Sequence, residues 1–261
     1  MEGTRNAHEI ANRHWVDAFR ELIDDLGGEF RTFGTVTSFV TSLPMAFANG
    51  CLVVEACTAS DLDAAISWVQ AAAMPYQVRV DEPLVADLQK TLDARGLERD
   101  PVAMPAMVLH PIPEMPEAAP GVEVMAVDDT KYSAFVELLV STGIPENLAV
   151  RIFPRDLIAK DNAEYFVATL EREPVGISVA VRTGESGGIY SVATLEKARR
   201  RGVGTAVTWA AIGAIRGWGC KSAVLQSSEM GYPVYRAMGF EEVTRYVRFA
   251  PKDENAELSG R

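Results

Sequence analysis

The sequence predicts a mixed α/β sheet in each half of the chain, on three observations. Short apolar runs rich in Val, Ile and Tyr alternate with segments whose apolar residues recur at helical spacing. A proline-rich stretch near the middle separates two such series. Both series end on the same kind of junction: Ala94-Arg95-Gly96-Leu97-Glu98 closes a helix as Ala237-Met238-Gly239-Phe240-Glu241 does. Helix-Gly-apolar strand is a common way to end a helix, so it is the matching order of elements that points to an internal duplication.

In the first half, Ala7 to Leu26 reads as an amphipathic helix, because Trp15, Phe19, Leu22, Ile23 and Leu26 recur at helical spacing between charges. Gly27-Gly28 ends it. Strands are expected near Phe39 and over Cys51 to Ala56, Tyr76 to Val80 and Met104 to Leu109, with helices over Leu62 to Ala72 and Leu84 to Ala94. Pro111, Pro113, Pro116 and Pro120 then remove backbone donors and fix φ near −65°, which marks residues 111–121 as an extended linker. At about 3.1 Å per residue, ten such residues reach about 30 Å.

In the second half, strands are expected over Val122 to Ala126, Tyr165 to Leu170 and Val175 to Val181, with helices over Thr130 to Leu139 and near Leu148. A turn at Gly184 to Gly188 leads into a strand Ile189 to Ala193. A helix Val203 to Arg216, a strand Ala223 to Gln226, a helix Tyr232 to Met238 and a strand through Val247 complete the series. This gives four segments: a lobe over 1–110, the linker 111–121, a domain over 122–251 and a flexible tail 252–261.

Composition narrows the function. The 36 acidic against 25 basic residues give a net charge of −11, which argues against electrostatic tracking of nucleic acid. Three scattered cysteines, Cys51, Cys57 and Cys220, make no disulfide framework and no metal spacing, so a reducing cytoplasm is expected. The longest apolar stretch, Ala206 to Ile215, is about half of what spans a bilayer, and the charged first thirty residues do not read as a secretory signal; no membrane partner is expected. His8, His14 and His110 fall in no metal-ligand spacing, and no metal is expected.

The chemistry gathers at Ile189-Tyr190-Ser191-Val192-Ala193-Thr194, followed by Leu195-Glu196-Lys197-Ala198 and Arg199-Arg200-Arg201-Gly202-Val203-Gly204-Thr205, which runs directly into an apolar helix. A strand-loop-helix with glycines at the helix start offers unpaired N–H groups in a positive field. Gly202 and Gly204 let the backbone approach a pyrophosphate, and three arginines add charge around it. A Walker loop is excluded because no Gly-Lys-Ser/Thr follows, and a Rossmann fingerprint because Val207 stands where its third glycine belongs.

Arg199-x-x-Gly202-x-Gly204, after a strand ending Val192-x-Thr194, resembles the pyrophosphate motif of the GNAT acyltransferases. Tyr235-x-x-x-Gly239-Phe240 resembles the second signature of that family, and the likeness covers about Val122 to Pro251. The resemblance implies the GNAT fold, acetyl-CoA as cosubstrate and direct transfer to a primary amine in a ternary complex. It implies that main-chain groups of Val192, Ala193 and Thr194 pair with the pantetheine arm where neighbouring strands splay, and that N–H groups from Arg200 to Thr205 hold the pyrophosphate. Tyr235 takes the place of the general acid that protonates the departing thiolate, and Ser228 is a candidate to contact CoA or to cap the next helix.

The sequence departs from the best-known members in its base, for no acidic residue lies in Ile189 to Ala193. Glu229, after Gln226-Ser227-Ser228, and Glu146, in the loop that commonly lines the acceptor site, are the candidates; a water chain is the alternative. The first half lacks the cradle: Thr58-Ala59-Ser60-Asp61-Leu62 stands at the equivalent place, so that half reads as a degenerate GNAT-like lobe without its own CoA. A noncatalytic acyl-CoA-binding module and a protein lysine acetyltransferase are the competing functions. The helix from Val203 is apolar on all sides, so a second layer is expected over it, supplied by the first half of the chain or by a second subunit in a homodimer.

Overall fold

The computed structural model describes residues 2–116 and 120–252. The middle of the expected linker, 117–119, and the expected tail beyond Lys252 lie outside them. The chain divides into two compact units, each drawn from two segments: Met1–Ala18 with Met107–Val243, and Phe19–Ala106 with Thr244–Arg261. The units thus part elsewhere than at the proline-rich stretch. Their limits pass through the first helix, α1 (Glu2–Asp25), and through the strands β6 (Met104–Leu109) and β12 (Glu241–Pro251).

The first unit carries the strand order β6-β11-β10-β9-β8-β7, with β7 (Val122–Ala126), β8 (Ala163–Leu170), β9 (Glu173–Thr183), β10 (Ser186–Thr194) and β11 (Ser222–Gln226). Strands β7 to β10 pair antiparallel, and β10 pairs parallel with β11. Helices α4 (Tyr132–Val140) and α5 (Glu146–Ile152) cover one face and α6 (Val203–Gly217) the other; α7 (Tyr232–Ala237) follows β11. The alternation of the strands assigns the faces. Tyr165, Val167, Ile177 and Val179 join Phe135 and Leu139 of α4, whereas Phe166, Ala180 and Ile189 join Ala211, Ile212 and Ile215 of α6. Burial on both faces explains why these strands read as continuous apolar runs.

Two glycines bring α6 close to the sheet. A Cβ on Gly187 would lie 2.4 Å from an Ile215 side-chain carbon, and one on Gly176 2.5 Å from Val203 Cγ1. The opposite side of α6 is only half buried at Ala206, Trp209, Ala210, Gly213 and Ala214. Within this unit it meets the proline-rich stretch, where the Met115 methyl lies 3.5 Å from a Cβ position on Gly213 and Arg216 donates to the Pro113 carbonyl.

The second unit repeats the scheme. Strands β1 (Glu29–Phe33), β2 (Val36–Val40) and β3 (Gly50–Val53) pair antiparallel, β3 pairs parallel with β4 (Gln77–Asp81), and β4 pairs antiparallel with β12. The short β5 (Leu97–Arg99) also pairs with β12. Helices α2 (Ala59–Gln70) and α3 (Val85–Ala94) contribute Leu62, Ile66, Val69, Leu88 and Leu92 to a core with Val78, Val80, Val247 and Phe249. The two junctions that echo in the sequence are equivalent in conformation: Gly96 (φ 67°) follows α3 and Gly239 (φ 95°) follows α7, both left-handed. Among the described residues no helix is long and apolar enough to cross a membrane.

Candidate active site

Strands β10 and β11 share only the start of their length. Their parallel pairing runs from Ser186↔Ser222 to Gly188↔Val224, while β10 continues to Thr194 and β11 to Gln226. On its other side β10 stays paired with β9, and the register slips there: Tyr190 faces Val179 but Ala193 already faces Ile177. Ser191, with φ 51°, is the residue that turns at this bulge. Val192, Ala193 and Thr194 follow the bulge, half buried, along the edge that β11 leaves. A strand edge with unpaired amides is suited to an extended, amide-bearing chain.

The loop after β10 aims more N–H groups at the same place. Arg200 (φ 61°) and Gly202 (φ 82°) are left-handed between right-handed or extended neighbours, an arrangement that turns successive N–H groups to one side. Gly202 is the N-cap of α6 and no side chain caps the helix, so the donors of Val203, Gly204 and Thr205 begin it without that partner. Arg199, Arg200 and Arg201 are exposed around it. Arg201 pairs at 3.0 Å with Glu171 of the β8–β9 turn, and Lys197 at 2.7 Å with Glu173. These exposed pairs are weak and yield readily to a phosphate. The equivalent helix start in the second unit is closed: Thr58 and Asp61 form a capping box at α2, and a carboxylate occupies the place of an anion.

Tyr235 lies on α7, 8% exposed, with its ring edge-on to Phe240 at 5.9 Å and against Gly231. Burial pushes its phenol up to about 12, partly offset by hydrogen bonding with Thr208. Thr208 is itself buried one turn into α6 and donates to the Gly204 carbonyl at 2.7 Å. Burial therefore keeps the phenol protonated, in the core packed against the helix that starts at the anion cradle.

The remaining candidates take other places. Ser228 Oγ accepts from the Gly231 N–H at 3.1 Å, within the turn that leads into α7, and no side chain caps that helix. Glu229 is exposed in the loop between β11 and α7, and Glu146 is exposed at the first residue of α5. His110 hydrogen-bonds Ser222 Oγ at 2.9 Å and the Lys221 carbonyl at 3.2 Å. His8 bonds Asn12. His14 is buried, its Nδ1 held by Thr183 Oγ1 at 2.6 Å and Ser186 Oγ at 3.0 Å. Among the described residues no group of His, Cys, Asp and Glu could hold a metal. Sequence reasoning missed Ser191, Thr208 and the environment of His14. The first needs a bulge and the others need contacts between distant elements, neither of which leaves a periodic signal.

Residues 133–240 match the model of the acetyltransferase (GNAT) family. Over 94% of this chain and 95% of the other, the structure is similar to a GCN5-related N-acetyltransferase from Kribbella flavida, at 16% identity and TM-score 0.72. It is also similar to a GCN5-related N-acetyltransferase from Sphaerobacter thermophilus (16% identity, 82% and 79% covered, TM-score 0.58). A tandem GNAT protein from the clavulanic acid biosynthesis pathway gives 13% identity, 82% and 77% covered, and TM-score 0.57. No curated protein matches the sequence. The fold is thus the GNAT fold, and the likeness to a tandem protein extends it to the first half of the chain.

Proposed function

Since residues 133–240 form a GNAT-family domain, we propose that this chain is an N-acetyltransferase that moves the acetyl group of acetyl-CoA to a primary amine by direct attack in a ternary complex. The observation that carries the reading is the strand opening between β10 and β11 beside the uncapped, glycine-led start of α6. Backbone groups of Val192, Ala193 and Thr194 would pair with the pantetheine arm, and N–H groups from Arg200 to Thr205 would hold the pyrophosphate, with Arg199, Arg200 and Arg201 around it. Acetyl-CoA supplies an acyl group activated as a thioester.

In this reading Tyr235 gives its phenolic proton to the sulfur as the carbon–sulfur bond breaks, and strand amides at the bulge steady the oxyanion. Its raised pKa supports the role, because the proton is present at any working pH. Glu229 and Glu146, both exposed, are the carboxylates offered to the incoming ammonium.

Turnover of acetyl-CoA against a panel of amines, with the wild type and Tyr235→Phe, tests the function. Thiol release that depends on an amine, with kcat at least about tenfold lower in Tyr235→Phe and acetyl-CoA affinity little changed, is the expected result. Tight CoA binding with no turnover would make the chain a noncatalytic module. Turnover only with a lysine-containing polypeptide would make it a protein acetyltransferase.

A further inference from the structure

The donor site proposed above depends on which backbone groups of β10 face the opening, and the bulge decides that. Leu195 donates its N–H to the Val175 carbonyl at 2.8 Å, so its groups face β9. Successive residues of a strand turn their backbone groups to opposite edges, so those of Thr194 face the opening. The side chains record the extra residue. Tyr190 and Ala193, three residues apart, pack on one core with Val179 and Phe135, while Ile189 and Val192 pack on the other with Ala211 of α6. Without that residue the strand would slip by one, and the groups of Thr194 would turn away from the opening.

The bulge turns at Ser191 with φ 51°, a left-handed conformation that a serine keeps only where its surroundings hold it. A side chain of α1 holds the residue just before it. His14 is buried, and its Nδ1 hydrogen-bonds Thr183 Oγ1 on β9 at 2.6 Å and Ser186 Oγ on β10 at 3.0 Å. Its ring lies at 16° to that of Tyr190, with centroids 6.2 Å apart. Gly188 makes room for both rings: a Cβ there would stand 2.2 Å from His14 Nε2 and 2.5 Å from Tyr190 Cε2. His14 is thus tied to the two strands that flank the bulge and leans on the ring that leads into it. Residues of α1 up to Ala18 belong to the unit that carries the site, although the sequence sets them in the half without the cradle.

We propose that His14 is a positioning residue for the acyl donor: stacked on Tyr190, it fixes the bulge and so aims the β10 backbone at the pantetheine arm. The inference rests on the donor site proposed above, and it separates the donor into two halves. The pantetheine arm would lie along the bulged strand, and the phosphates at the start of α6. Acetyl-CoA carries both halves, whereas adenosine 3′-phosphate 5′-diphosphate carries the phosphates alone.

The affinities of these two ligands are measured by calorimetry, beside thermal midpoints, for the wild type, His14→Asn, Tyr190→Leu, the double variant of these two, Tyr190→Phe and Gly188→Ala. Asparagine keeps a polar group for Thr183 and Ser186 and removes the ring. The preference for acetyl-CoA over the phosphate fragment is expected to fall on the order of tenfold in His14→Asn and in Tyr190→Leu, about the worth of one satisfied hydrogen bond. The phosphate fragment itself should bind as it does to the wild type. Because both side chains act through one contact, the double variant should lose no more than the weaker single variant. Tyr190→Phe keeps the ring and should keep the preference.

If His14→Asn does not fold, Gly188→Ala decides, since its Cβ pushes against both rings and should lower the preference in the same way. An unmoved preference in the folded variants, an equal loss of both ligands, losses that add in the double variant, or a loss in Tyr190→Phe makes His14 a packing residue and overturns the inference. A wild type that binds neither ligand overturns the donor site itself, and this inference with it. Binding without turnover would overturn the transfer alone, and the two affinities would still decide the role of His14.

Discussion

Two buried titratable side chains, Tyr235 and His14, are held in their neutral forms by the same physical cause. Desolvation penalises the charged form, raising the phenol to about 12 and lowering the imidazole to about 3. For His14 this has a consequence for stability. Its pKa is lower in the folded than in the unfolded chain, so its contribution is complete above the unfolded value near 6.5 and is lost as pH falls towards 3. Each pH unit of that window costs about 1.4 kcal/mol from this group at the limit. Urea unfolding between pH 7 and pH 4 should show a steeper fall for the wild type than for His14→Gln; parallel slopes would mean that His14 takes up its proton in the folded state. The role proposed for Tyr235 rests on its motif, and its burial on the fold. That depends on Phe240, Gly231 and Thr208 closing around it.

At the scale of elements, most strands and helices of both halves were legible, because apolar runs and helical spacing report burial directly. The helix from Val203 and the strand Ala223 to Gln226 lie within a residue of their expected limits. The first helix begins at Glu2, five residues earlier than its apolar spacing reveals, because its opening turns are polar. Strand β1 was missed because Glu29–Phe33 carries two charges and buries little, and β5 because three residues hold no period. The opening between β10 and β11 was expected from the resemblance alone, since no residue type announces where two strands part. The Gly187 contact turns packing into a test. Gly187→Ala should destabilise the protein by about 1–3 kcal/mol, because a Cβ there would meet Ile215. Chemical denaturation gives the number, and an unchanged midpoint would mean that α6 stands further from the sheet.

For the whole molecule, the proline-rich stretch was legible and the composition of the compact units was not. Which unit a strand joins depends on partners distant in sequence, and neither Met104–Leu109 nor Glu241–Pro251 encodes its partner locally. The expected cover over the outer side of α6 is also revised in part, since residues around Pro113 and Met115 of the linker itself lie against it. A chain beginning at Gly121 would lose Met1–Ala18 and Met107–Pro120 from the unit that carries the site. It should aggregate or fail to show a cooperative thermal transition. A soluble, monomeric and fully active fragment would show that those segments are dispensable.

The central claim is that the β10–α6 junction holds the acyl donor, and titration of acetyl-CoA into the wild type and Gly202→Asp by calorimetry tests it most directly. Gly202 adopts φ 82° at the uncapped start of α6, so aspartate there brings both a side chain and a negative charge to the anion cradle. The account predicts saturable binding to the wild type and at least about a hundredfold weaker binding to a Gly202→Asp protein that still melts cooperatively. Equal affinity in the two folded proteins would contradict it.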